Sequence, residues 1–166
     1  MPRADPDQIV DLRDCATQRL LSDEGRRQAV LIGDAILVLR IPIGQVYASR
    51  YCRTRETADL VFGYHSGVTE LTYPVTWPDL SDAGFSQLVD GFLRLMAIPP
   101  APGTNTVLVG HFTSLQLSEG LEIEPEGAAV VFAADEEFGF RYIAHIHPDD
   151  WGRALDRHRS STNDPN

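Results

Sequence analysis

Apolar residues recur at helical spacing in three segments of the chain. Ser22 is the predicted N-cap of the first helix. The buried stripe of this helix repeats every three or four residues and consists of Ala29, Ile32, Ile36 and Leu39. A second helix is predicted over 53–62, where Gly63 ends it, and a third over 82–96.

Short apolar runs between and after the helices predict strands. Residues 45–48 indicate a short strand, and residues 106–110 form a continuous apolar run that is typical of a strand buried on both faces of an α/β sheet. Residues 127–134 and 138–146 predict two antiparallel strands, which are joined by the acidic turn 135–137.

The order of these elements is helix, strand, helix, helix, strand and hairpin. This order predicts an α/β layered domain with a mostly parallel central sheet flanked by helices. Residues 64–82 are expected to form a loop, because glycine and proline interrupt them, and residues 148–155 a short helix. We expect a single domain over residues 1–155, followed by a flexible tail over 156–166.

Charge and composition narrow the classes of function. The 166 residues carry a net charge of -10, which argues against a nucleic-acid partner, because phosphate backbones need a basic face. No apolar run approaches the roughly 20 residues of a membrane span, and the N-terminus lacks the apolar region of a secretory signal. Cys15 and Cys52 are too few for a disulfide framework or a four-cysteine zinc site. With no signal, they indicate structural or incidental thiols in a reducing cytoplasm.

Two predicted strand ends carry residues that suit an anion. Arg53 begins the second helix directly after the first strand, and His111 follows the most apolar strand. Ligands of open α/β sheets bind beyond the carboxyl ends of the strands, so these two side chains are expected to meet in one crevice. The free N–H groups at the N-terminus of the second helix, beside Arg53, are also expected to attract an anion to this crevice.

These segments resemble the histidine phosphatase (phosphoglycerate-mutase-like) superfamily, and in particular a small bacterial branch of it. The resemblance is carried by three blocks in order, LSDEGRRQAVLIGDAI, IPIGQVYASRYCRTRETADLVFG and GTNTVLVGHFTSL, with DCATQR ahead of the first. It covers roughly residues 11–155. The family implies a phosphatase without metal or organic cofactor, which hydrolyses a phosphomonoester or a phosphohistidine through a phosphohistidine intermediate.

The resemblance also implies roles for individual residues. His111 matches the second histidine of the family and Arg53 the arginine that binds phosphate. Ser49 matches the serine at the strand end, and Arg50 stands where the family usually has proline, adding a guanidinium at the pocket rim. Together with Arg53 and His111, both are predicted to bind phosphate. Glu70 is the best match for the acid that protonates the leaving group, and Asp79 is the alternative.

The attacking histidine of the family has no match. Its Arg-His-Gly or Arg-His-Ala motif is absent, and Arg157-His158 lies in the predicted tail. The first central strand is therefore expected to be missing from this chain, and phosphatase activity is expected to be absent or very low. The alternative is a non-catalytic phosphate-binding or interaction module, whose partner is a phosphorylated small molecule or a phosphoprotein. Sheet edges left unpaired would also permit a homodimer.

A second histidine pair lies near the C-terminus. His145 and His147 alternate as strand residues do, and with Pro148 to Asp150 they resemble part of a zinc-hydrolase box. The box requires a histidine where this chain has Asp150, and no other cysteine or histidine cluster completes a site. No metal is predicted.

Overall fold

The computed structural model describes residues 11–72, 81–111, 115, 121, 123–135, 137 and 139–162, and of Phe85 it describes the backbone only. Within these residues the helices are α1 Asp23–Val38, α2 Cys52–Phe62, α3 Asp82–Met96 and α4 Pro148–Thr162. The strands of the same part of the chain are β1 Ile43–Ser49, β2 Ser66–Val68, β3 Asn105–Val109, β4 Ala129–Asp135 and β5 Gly139–Ile146. None of these helices is long and apolar enough to span a bilayer.

The first two helices begin and end where local sequence signals place them. The Ser22 hydroxyl accepts from the Gly25 amide and caps α1, and Gly63 ends α2 with a φ of 75°, which glycine adopts without strain. Gly33 lets the two helices approach closely, because a Cβ at this position would lie 2.8 Å from the Val61 carbonyl oxygen. The predicted caps are confirmed.

The central sheet has three parallel strands in the order β2-β1-β3. Tyr47 of β1 is level with Ser66 of β2 and with Leu108 of β3, so the carboxyl ends of the strands meet at one edge. The predicted α/β architecture with a parallel sheet is confirmed. Among the described strands β1 is paired on both edges and β3 on one, and the missing first strand stays a prediction.

Two strand expectations need correction. The short strand β2 lies within 64–82, which was predicted to be a loop, since three residues carry too little periodicity to be recognised. The apolar strand β3 is only half-buried rather than buried on both faces. Among the described residues it pairs with β1 alone, so it forms an edge of the sheet.

The antiparallel hairpin predicted near the C-terminus is confirmed. Strands β4 and β5 pair from Ala129 with Ile146 to Asp135 with Gly139. The helix that follows is longer than predicted, because it continues to Thr162 rather than ending at Leu155. The predicted flexible tail is thus helical over 156–162, a stretch that contains neither glycine nor proline.

The core lies in two clusters. One joins α1 to α4 through four buried side chains, Ala35, Ile36, Trp151 and Leu155, and the hairpin packs against it. The other holds β1 against α2 through Val46, Ala48 and Ala58. The second cluster fixes the position of α2 relative to the end of β1, and so determines where the first turn of α2 points.

A disulfide joins the segment before α1 to the start of α2. Cys15 lies in a 3-10 turn, Cys15–Thr17, and is bonded to Cys52, with 5.7 Å between their Cα atoms. The interpretation of both cysteines as separate thiols is therefore wrong. The two residues are 37 positions apart, and their proximity is a product of the fold that no local pattern reveals.

We expect Cys15→Ser to lower the free energy of unfolding by about 2–4 kcal/mol, because the disulfide restricts the unfolded chain over a loop of this size. Urea denaturation followed by circular dichroism measures the change. Wild-type protein reduced before denaturation is the control and should lose a similar amount. An unchanged midpoint in both samples would contradict a stabilising role for the disulfide.

Candidate functional site

The carboxyl ends of β1 and β3 bring a serine and a histidine together. Ser49 is the last residue of β1, and His111 follows β3 by two positions. Since Ala48 pairs with Val109, the two strands end level, and Ser49 Oγ lies 3.0 Å from His111 Nε2. Ser49 is fully buried, so its hydroxyl serves to hold the imidazole.

Arg53 meets the other nitrogen of the same imidazole. It is the second residue of α2, and its Nη2 lies 3.0 Å from His111 Nδ1. A guanidinium can only donate, so Nδ1 must accept and the imidazole proton must lie on Nε2. His111 therefore donates from Nε2 to Ser49 Oγ, and the three side chains form one hydrogen-bonded row.

The Tyr51 ring packs against both Arg53 and His111. The Arg53 guanidinium carbon lies 4.3 Å from the centre of the Tyr51 ring, in cation–π geometry. The Tyr51 and His111 rings meet edge to face with 5.0 Å between their centres. The Thr54 hydroxyl donates to the carbonyl oxygens of Tyr51 and Ser49, at 2.8 and 3.0 Å, which fixes the turn between β1 and α2.

The charge of the site resides on Arg53. Burial lowers the pKa of His111 to about 3, and the positive charge of Arg53 acts in the same direction, so the imidazole is neutral at pH 7. Burial also lowers the pKa of Arg53, whose guanidinium nevertheless stays charged. Within the described part of the chain, Arg53 has no carboxylate at ion-pair distance. A partly buried cation that no described carboxylate contacts, beside a helix N-terminus, is suited to bind an anion.

The position of Arg50 at the rim of the pocket stays a prediction. Its side chain is exposed, and its backbone amide donates to Thr72 Oγ1 at 3.1 Å. Thr72 in turn donates to the Val68 carbonyl, which fastens the turn 69–72 to the end of β1. No described hydrogen bond joins the Arg50 guanidinium to Arg53 or His111.

Glu70 is placed against α3. It lines a cleft of about 260 Å³ together with Gly91 and Arg94, and its Cγ would lie 3.0 Å from a Cβ at Gly91. Among the described contacts none joins Glu70 to Arg53 or His111, so its role as the acid stays a prediction. The alternative acid, Asp79, lies outside the described residues.

The C-terminal histidines lie at the end of the hairpin. His147 Nδ1 accepts from the Asp149 amide at 3.2 Å at the start of α4, and His145 is exposed on β5. The described residues include no group of three or more histidine, cysteine, aspartate or glutamate side chains that could hold a metal ion.

No protein-family model and no curated protein matches the sequence. Solved structures do resemble the fold. The protein histidine phosphatase SixA, complexed with tungstate, is 18% identical, with a TM-score of 0.54, over 80% of this chain and 86% of that one. The protein TTHB049 from Thermus thermophilus is 20% identical, with a TM-score of 0.52, over 77% of this chain and 85% of that one.

The chain has a histidine-phosphatase-like fold. The resemblance noted in the sequence is confirmed at the level of the fold.

Within this histidine-phosphatase-like fold, the structure brings together the predicted candidates Ser49, Arg53 and His111, and it adds supporting residues that the sequence did not reveal. Tyr51 and Thr54 stand in the same block as Arg53, yet only the structure shows the ring beneath the guanidinium. Arg19, from DCATQR, lies close enough for its charge to lower the pKa of Arg53, and the carboxylate of Glu126, with which Arg19 is paired, acts in the opposite direction and raises it. The DCATQR block was the signal that pointed to this segment.

The low pKa of His111 predicts a pH-dependent stability. The ordinary pKa of histidine is about 6.5, and that of His111 in the folded chain is about 3. Between these two pH values His111 is protonated in the unfolded chain and neutral in the folded chain. Stability should therefore fall on acidification through this window, by up to about 1.4 kcal/mol per pH unit. Urea denaturation at pH 7.5, 5.5 and 4.5 should show a steeper loss for wild type than for His111→Gln.

His158→Gln is the matched control, because His158 is exposed on α4, and it should follow the wild-type slope. Equal slopes for wild type and His111→Gln would mean that His111 is not buried in its neutral form.

Proposed function

We propose that the pocket at Arg53 and His111 binds the phosphoryl group of a phosphomonoester or of a phosphohistidine on another protein. The observation that carries the proposal is the Arg53 guanidinium, which is partly buried, lacks a carboxylate partner among the described residues and lies in the first turn of α2. Its hydrogen bond to His111 leaves most of its N–H donors for an anion. The neighbour SixA is a histidine phosphatase whose structure is a complex with tungstate, which supports an oxyanion as ligand.

In this proposal the three side chains of the row have different roles. Arg53 donates to the phosphoryl oxygens and supplies the positive charge. His111, neutral at pH 7, accepts from Arg53 and sets the orientation of the guanidinium, and a dianion bound beside it would raise its pKa. Ser49 is too deeply buried to serve as a direct ligand, so we assign it the task of holding His111. Arg50 at the rim extends the positive surface toward the substrate.

Catalysis by this sequence is limited by its missing nucleophile. The family reaction forms a bond between phosphorus and a histidine of an Arg-His-Gly or Arg-His-Ala motif, and the 166 residues contain neither motif. The remaining groups can bind and polarise a phosphoryl group, but nothing in the row is placed to attack it. We therefore propose ancestry from a cofactor-independent phosphatase, with hydrolysis absent or very low in this chain.

A non-catalytic interaction module is the second candidate. It is favoured by the outer edge of β3, which has no strand partner among the described residues and could pair with a second copy of the chain. The net charge of -10 supports a phosphoprotein or small molecule rather than a nucleic acid as the partner. Sedimentation at several concentrations distinguishes a dimer from a monomer.

A cytoplasmic location is also part of the proposal. The Cys15–Cys52 disulfide is more typical of an oxidising compartment. Measuring whether these two cysteines are reduced or oxidised in cells therefore tests the proposed location.

We expect inorganic phosphate and orthovanadate to bind weakly to the wild type, and Arg53→Ala to weaken binding by about ten- to a hundredfold, because charge-assisted hydrogen bonds are lost. Calorimetry or ligand-observed NMR measures the affinity. Arg27→Ala is the matched control, since Arg27 is an exposed arginine paired with Glu24 on α1, and it should bind as wild type. Equal affinity in Arg53→Ala and wild type would exclude this pocket as the phosphate site.

The 166-residue chain is expected to show no turnover of p-nitrophenyl phosphate, even where it binds phosphate, because it holds no attacking histidine. Turnover that disappears in Arg53→Ala would show that another group serves as nucleophile and would overturn the non-catalytic assignment.

A further inference from the structure

The Cys15–Cys52 disulfide joins an exposed residue to a buried one. Cys15 belongs to an exposed turn, whereas Cys52 is 6% exposed at the first position of α2. A thiol arriving from solvent therefore reaches the sulfur of Cys15, and the sulfur of Cys52 becomes the leaving group. Exchange at a disulfide is faster when the leaving thiolate is stabilised.

The surroundings of Cys52 favour a thiolate. Arg55 Nη2 lies 3.2 Å from Cys52 Sγ and 3.9 Å from Cys15 Sγ. Arg55 Nε is buried and has no hydrogen-bond partner among the described residues, so the guanidinium is incompletely satisfied while the disulfide is intact. A thiolate accepts hydrogen bonds far better than a disulfide sulfur does. Cys52 also stands at the N-terminus of α2, where the helix dipole stabilises negative charge.

We propose that Cys15–Cys52 is a thiol–disulfide exchange site for a dithiol reductant, with Cys15 attacked and Cys52 leaving. The reductant's thiolate forms a bond to Cys15 Sγ, the bond between the two cysteines breaks, and its electron pair moves to Cys52 Sγ. The second thiol of the reductant loses its proton to water and displaces Cys15, which leaves as a thiolate and takes up a proton. The reductant departs as a disulfide, having transferred two electrons.

Exchange changes how the segment 11–19 is held. In the oxidised chain this segment is fastened to α2 by the disulfide and by Gln18, whose Oε1 accepts from the Cys52 amide at 2.8 Å. Gln18 Nε2 also donates to the Asp11 carbonyl at 2.9 Å, which closes the turn on itself. Among the described hydrogen bonds and ion pairs, reduction leaves these polar contacts and the Arg19–Glu126 pair, whose charges act on Arg53. The inference does not depend on whether Arg53 binds phosphate.

The direction of attack is tested on the wild-type chain with glutathione as the probe. The reaction is quenched with acid, free thiols are alkylated, and peptides are analysed by mass. The expected species carries glutathione on Cys15 and the alkyl group on Cys52, in protein whose circular dichroism is unchanged. Glutathione found equally or mainly on Cys52, or thiols released only after denaturation, would overturn the proposal.

The role of Arg55 is tested by titration in dithiothreitol redox buffers. Arg55→Gln should shift the equilibrium toward the disulfide by about tenfold, because a charge-assisted hydrogen bond to the thiolate is lost. Arg55→Lys keeps the charge and should recover part of the shift, while Arg27→Gln should titrate as wild type. A wild-type titration for Arg55→Gln, or an equal shift for Arg27→Gln, would overturn the assignment. Because the glutathione test needs no variant, the proposal stays falsifiable if Arg55→Gln does not fold.

Discussion

The hydrogen bonding between β1 and β3 is the constraint on which the candidate site depends. Ala48 and Val109 are paired in register, so the ends of the two strands are level and Ser49 reaches His111 across them. A slip of one residue would turn the side chains of β1 to the opposite face of the sheet and separate this pair. The packing of Ala58 against β1 then fixes α2, and with α2 the position of Arg53.

The site keeps a cation partly out of water, and no described carboxylate lies at ion-pair distance from it. Such burial is unfavourable, and its effect is visible in the lowered pKa of both Arg53 and His111. The Tyr51 ring and the neutral His111 nitrogen offset part of this cost, since each presents negative charge density to the guanidinium. Neither supplies a full negative charge, so an anion would remove the remaining imbalance. This electrostatic state, rather than the likeness to phosphatases alone, makes Arg53 the centre of the functional proposal.

The segment ahead of α1 links the same turn to a distant part of the chain. Cys52, the residue before Arg53, is held by two independent contacts. Its backbone amide donates to Gln18, and its sulfur is bonded to that of Cys15. Arg55, one turn along α2, lies against both sulfurs. The disulfide and the candidate anion site are therefore adjacent, because Cys52 and Arg53 both lie in the first turn of α2.

Much of the fold follows from local signals in the sequence. The cap at Ser22, the stop at Gly63 and the alternating pattern of the hairpin depend on interactions within a few residues, and each occurs where it was predicted. The candidates Arg53 and His111 were also recognisable, because parallel strands bring their carboxyl ends to one edge and both residues follow such an end.

What only the tertiary structure decided depends on residues far apart in sequence. The bond between Cys15 and Cys52, the ring of Tyr51 under Arg53 and the placement of Glu70 against α3 arise from how the elements pack. Burial of Trp151 and Leu155 against α1 likewise positions α4, whereas the extension of this helix to Thr162 follows from a local signal, the absence of glycine and proline over 156–162. Local propensity sets where elements begin and end. These pairings instead require long loops to close, and the free energy of closing them cannot be inferred from any short segment of the sequence.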